Sequence, residues 1–207
     1  MSQFRRPAML NPAVAAHIPG GIDPARRDEL GHLTAQVILR ETRASGDPAM
    51  VERLLGLVEE QGIDAVAELW SHAEPDTLPG TLWRLYTLQQ TTRRDGAQAA
   101  QWYRLGLPTA QVAGAVAGVM DPPTPEHLNQ VIDEVLSGFF IGDLAVALER
   151  AAAYVRVLVT GIALDADIRE LDDAALSSSM TAVAANLQKL AIQFDRAAKL
   201  WRQAELV

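Results

Sequence analysis

The sequence predicts an all-α protein: a multi-helix bundle of about eight or nine helices with a long C-terminal antiparallel helical hairpin. Three observations carry that expectation. Leu176, Met180, Val183, Leu187, Leu190, Phe194, Ala197 and Trp201 follow one another at alternating steps of four and three, a heptad seam held without a break. A second run, Ile141, Leu144, Leu148, Ala151, Val155, Leu158 and Ile162, keeps the same period just upstream. No stretch alternates apolar and polar residues as a half-buried strand would, so no strand is expected.

Taken in order, the elements begin after residues 1–22, which read as a mobile N-terminal arm. Arg5 and Arg6 precede an apolar run to Ile18, but Asn11, Pro12, His17 and Pro19 interrupt it, so no signal peptide is expected. Asp23 and Pro24 start a first helix, in which Leu30, Leu33 and Val37 recur at helical spacing. Asp47 and Pro48 repeat the signal for a second, with Val51, Leu54, Leu55 and Val58 on one face. A third runs from Ile63 to about His72. Thr77 caps a fourth to Arg94, with Leu78, Leu82, Leu85 and Leu88 inward. A short fifth passes through Trp102 to Leu105; Gly106, Leu107 and Pro108 then read as a turn into a sixth, Thr109 to Met120, where Gly114 and Gly118 suggest a close helix contact.

Asp121 to Pro125, D-P-P-T-P, is the sharpest break and divides an N-terminal helical subdomain, 23–120, from a C-terminal one, 124–207, unless the two share one core. Thr124 caps the next helix, to Leu136. A largely buried helix from about Phe140 to Leu164 follows, and an acidic connector, Asp165 to Asp173, leads into the final one. In that last helix Ala184, Ala191 and Ala198 recur every seven residues beside the seam and widen the apolar stripe. Met180, Ala184, Leu187, Ala191, Phe194, Ala198 and Trp201 are therefore the expected interface, covered either within the subunit or across a dimer.

Composition narrows function mainly by exclusion. Nearly half of the 207 residues are apolar and the formal charge is −8, a balance suited to a packed core and opposed to wholesale phosphate-backbone binding. There is no cysteine, hence no disulfide, thiolate nucleophile or Cys-ligated zinc, which fits a cytoplasmic location. No nucleophile elbow, phosphate loop or dinucleotide fingerprint occurs, and no cofactor is expected. No segment has the roughly 20 apolar residues of a membrane span.

Three patterns carry chemistry. Trp83, Tyr86, Trp102 and Tyr103 are interleaved with Arg84, Arg93, Arg94 and Arg104, a combination suited to a planar or anionic ligand, although core packing of the rings is the plainer account. Within that patch Trp83, Arg84, Tyr86, Arg94, Trp102 and Arg104 are the expected ligand contacts. Residues 99–119 have the outline of a helix-turn-helix, but Thr109 and Gln111 alone could reach base edges, so nucleic acid is not the expected partner. Glu29 and His32 form one E-x-x-H pair of the kind found in di-iron bundles, without the second pair such a site needs. The expectation is a non-enzymatic helical interaction or scaffold protein, self-associating as a dimer through its last helix or binding another helical protein. The alternative is a regulatory domain that binds a small or anionic ligand through the 83–104 patch.

Overall fold

The computed structural model describes residues 24–39, 62–117, 122–136 and 143–207, and at Pro24 and 111–117 the backbone alone. The described residues form seven helices and no strand: α1 Pro24–Ile38, α2 Ile63–Trp70, α3 Leu78–Arg94, α4 Gly96–Ala117, α5 Pro125–Leu136, α6 Leu144–Arg169 and α7 Ala174–Arg202. The N-terminal arm and the helix expected after Pro48 lie outside them, as does Gly118.

Helix starts follow the capping residues. Thr77 Oγ1 accepts from Gly80 N at 3.2 Å, Thr124 Oγ1 from His127 N at 3.3 Å, Asp143 Oδ1 from Ala145 N at 2.9 Å and Asp173 Oδ1 from Leu176 N at 2.9 Å. Seven helices among the described residues stand against the expected eight or nine: the predicted fifth and sixth are one, and the expected second lies outside the described residues. Pro108 sits inside α4 rather than in a turn. Its ring nitrogen has no hydrogen for the Arg104 carbonyl, a cost of about 3 kcal/mol that packing must offset. The packing is with α6: a Cβ on Gly106 would lie 2.1 Å from the Val157 carbonyl oxygen, and one on Gly161 would lie 1.9 Å from that of Trp102. The two backbones meet through paired glycines, the sense in which Gly106 is used here.

Helix α6 is the central member, flanked by α4, α5 and α7. Leu144, Leu148, Ala151, Tyr154, Val155, Leu158 and Ile162 are all buried along it. It extends to Arg169, five residues beyond the expected Leu164, so Asp165 and Asp167 are helical rather than part of a connector. With α7 it forms the long antiparallel hairpin. Phe194, Ala191 and Ala198 are buried in its middle, and Ile162, Ala166, Met180 and Ala184 form a smaller cluster near its tip. Arg156 pairs with Asp195 across it, and Arg202 grips Glu149 at 2.5 and 2.8 Å.

The main buried cluster includes Trp70, Leu82 and Leu85 from before the D-P-P-T-P break and Leu148, Val155 and Phe194 from after it. Helix α3 touches α1, α2, α4, α5 and α7. Its link to α5 adds polar bonds to the shared core: Gln89 Nε2 donates to Asn129 O at 3.1 Å and Asp133 Oδ1 at 2.9 Å, and Arg93 reaches Asp133 Oδ2 at 2.5 Å.

The end of α7 offers a test of backbone strain. Glu205 N donates to Leu200 O at 2.9 Å and Ala204 N to Trp201 O at 3.0 Å, the paired bonds of a Schellman stop. Ala204 therefore adopts φ 57°, where a Cβ is crowded. Beyond it Leu206 is buried and Val207 O accepts from Leu78 N at 2.9 Å. Ala204→Gly is expected to raise stability by about 0.5–1 kcal/mol in a urea titration, because relief of the left-handed strain exceeds the added freedom of the unfolded chain. A loss of stability would count against this geometry.

Candidate binding groove

Helices α3 and α7 are joined at one end and apart at the other. Arg84 Nε donates to Gln193 Oε1 at 3.0 Å, and Arg196 pairs with Asp76, just before α3, at 3.0 Å. Toward the end of α3 and the start of α7 a groove of about 360 Å³ separates them. Leu88, Ala99 and Trp102 line it from α3 and α4, Leu158 from α6, and Val183, Leu187 and Leu190 from α7. Thr87, Thr91, Thr92, Asp95 and Gln98 complete the lining. Val183 is 46% exposed, although it belongs to the same heptad seam as the buried Phe194.

The polar groups around this groove are largely engaged by the protein itself. Thr87 and Thr91 donate their hydroxyls to the Trp83 and Thr87 carbonyls of their own helix, each at 2.8 Å. Asp95 Oδ2 accepts from Arg94 at 2.9 and 3.2 Å, and that carboxylate holds the Arg94 guanidinium above its ordinary pKa. Trp102 Nε1 donates to Asp165 Oδ2 at 2.9 Å, while Arg169 Nε donates to Asp165 Oδ1 at 2.9 Å. Asp165 is only 5% exposed. The Trp102 hydrogen bond, assisted by Arg169, holds its carboxyl below the usual carboxylate range against the opposing effect of burial. Asp165 thus fixes the ring that forms one wall.

A depressed carboxyl pKa stabilises the fold above the unfolded-state value, and the contribution is lost as pH falls through the folded value. Asp165→Asn should therefore be less stable than the native chain at neutral pH, by about 1–2 kcal/mol for the lost charged hydrogen bonds. The difference should shrink when both are denatured with urea in strongly acidic buffer. A gap that is the same at both pH values would assign Asp165 no role as an anion.

The expected ligand patch is dispersed over several faces. Trp83 and Tyr86 stack at 5.6 Å, and Tyr86 donates to Asp64 Oδ1 at 2.8 Å, tying α3 to α2. Burial first, and that carboxylate second, push the Tyr86 phenol up to about 12. Arg84 also donates to Gly80 O at 2.7 Å, and burial lowers its pKa. Tyr103 stacks on Tyr154 in the interior at 5.6 Å, and Arg104 lies exposed on α4. Of the six expected ligand contacts, Trp102 lines the groove and Arg94 reaches its edge through Asp95.

The expected interface is divided in a similar way. Met180, Ala184, Ala191, Phe194 and Ala198 are buried within the chain, Trp201 is half-buried against the main core, and Leu187 faces the groove. His32 Nδ1 lies 3.0 Å from the Asp28 carbonyl oxygen and 3.7 Å from Asp28 Oδ1. Among the described residues no three His, Asp or Glu side chains converge as metal ligands, so Glu29 and His32 gain no further partner for a cation there. Among the same residues no helix is long and apolar enough to cross a membrane.

No family model matches this chain, and no curated protein or solved structure does either. Sequence reasoning did not single out Leu88, Gln98, Val183 or Leu190 as a site. Val183 and Leu190 were visible as seam positions and Leu88 as the inner face of α3, but no signal within either helix says that the two stripes diverge at one end.

Proposed function

We propose that the protein works by binding rather than by chemistry, as a helical binding protein that receives an apolar occupant between α3, α4 and the first half of α7. The observation that carries this reading is the placing of Val183, Leu187 and Leu190 opposite Trp102 across an open groove. Apolar side chains lining a concave surface over a hydrophobic floor are the common form of a binding site. The groove walls are preset by the Trp102–Asp165 bond and the Gly106–Gly161 crossing.

Self-association is the second reading, favoured by the apolar residues that remain outside. Leu176 is 39% exposed and Ile168 and Leu171, at the hairpin tip, are 66% and 96% exposed. With Phe194, Ala191 and Ala198 buried inside the chain, a dimer would use this outer edge rather than the deep seam. Native mass spectrometry of the purified full chain, beside Val183→Glu for the groove and Leu171→Glu for the outer edge, tests both. Retained small-molecule mass lost in Val183→Glu, or a dimer lost in Leu171→Glu, is the expected result. Identical bare monomers would remove the groove as the binding face.

A further inference from the structure

We propose that the groove takes a neutral, largely hydrocarbon small molecule, seated against the Trp102 ring; this rests on the binding reading above and names its ligand class. Size is the first ground. At about 360 Å³ the space falls within the ~300–1,000 Å³ typical of small-molecule sites. A ten-residue partner helix, a cylinder ~10 Å wide and ~15 Å long, would leave most of its volume outside.

Charge is the second ground. Among the described residues the one charged group in the lining is Asp95, already paired with Arg94 at 2.9 Å. The other arginines of the patch that have assigned partners are held away, Arg84 on Gln193 and Arg93 on Asp133. An anion in the groove would meet a carboxylate and no cation in the lining, within a chain of formal charge −8. A cation would find Asp95 already paired with Arg94. A neutral molecule meets neither cost.

The third ground is hydrogen bonding. The Thr87 and Thr91 hydroxyls and the Trp102 N–H are spent on internal acceptors, so little in the wall rewards a strongly polar ligand. Gln98, half-buried in the lining, offers an amide to one polar group of an otherwise apolar molecule.

Titration of the full chain with N-phenyl-1-naphthylamine, a neutral apolar fluorophore, tests this against its anionic relative 1-anilinonaphthalene-8-sulfonate. The expected result is saturable binding of one neutral probe per chain, at least ~10-fold tighter than the sulfonate. Two variants locate it. Val183→Glu places a charge in the wall at a half-exposed position, and Thr91→Trp fills the space from an exposed one without charge; each should weaken the neutral probe by at least ~10-fold while the urea midpoint stays near that of the native chain. Tighter binding of the sulfonate, or undiminished binding of the neutral probe by both variants, would overturn the proposal. Sedimentation velocity separates its failure from that of the wider reading. If no probe binds but the native chain associates and Val183→Glu does not, the groove serves a second copy and the small-molecule proposal falls alone; if neither occurs, both fall.

Discussion

Gly161→Ala is expected to cost about 2 kcal/mol net, even though alanine is the better helix former. The new Cβ would lie 1.9 Å from the Trp102 carbonyl oxygen and 2.6 Å from its carbon. Both are backbone atoms, so no side chain can swing aside and α4 must move off α6 as a body. On the opposite helix a Cβ at Gly106 would meet the Gly161 amide at 2.6 Å, so the crossing has no slack from either direction. The helical preference for alanine returns about 1 kcal/mol, and overpacking of this kind exceeds it. Against a typical stability of roughly 5–15 kcal/mol the net loss is large. Trp102 belongs to the displaced segment, so the wall of the groove should shift as well. Gly96→Ala is the control, since nothing lies within 4 Å of a Cβ there, and it should be neutral or mildly stabilising. Equal urea midpoints for Gly161→Ala and the native chain would sink the glycine crossing.

The N-terminal helices should depend in the same way on Trp70. This ring is wholly buried, and its Nε1 donates to Gly31 O at 3.1 Å and Thr34 Oγ1 at 3.0 Å on α1. Trp70→Ala removes the largest side chain between α1, α2 and α3 and is expected to cost about 3–5 kcal/mol. Trp70→Phe keeps most of the volume. It should cost only about 1 kcal/mol, because the Thr34 hydroxyl still has the Leu30 and Gly31 carbonyls, at 2.8 and 2.9 Å, as partners. Urea titrations of the three proteins provide the measurement. A Phe variant as damaged as the Ala variant would show that the indole hydrogen bonds, not the volume, hold α1 in place.

How much of this was legible in the sequence follows from the range over which each signal acts. Helix starts were readable because a cap acts within three residues: Thr77 on Gly80, and Thr124 on His127. The hairpin was readable because two heptad runs separated by a short connector have little choice but to pair. Pro108 misled because a Gly-Leu-Pro sequence carries the local marks of a turn, and only a helix distant in sequence compensates for the lost backbone bond. Asp165 misled similarly. It sits in an acidic stretch suited to water, yet Trp102, 63 residues away, draws it into the interior.

The groove was the least legible feature. It exists because α3 meets α7 at Arg84 and Gln193 and not where Val183 stands opposite Trp102, a matter of how two helices cross. The Arg and aromatic residues at 83–104 are close in sequence, but successive positions on a helix point in different directions. Trp83 accordingly stacks on Tyr86, Arg84 turns to α7, and Trp102 and Tyr103 face different neighbours.

The central place of α6 has a consequence for how such a chain can drift over generations. More than half of its 26 residues are buried, and three other helices rest on it, so most changes along it must be matched by changes on a neighbour at the same time. Positions 106 and 161 are the extreme case: neither can grow unless the two backbones separate. The outer edge of α7 carries no such obligation. Descendants of this protein would therefore diverge fastest along that edge and at the groove rim, long before the scaffold beneath them changes.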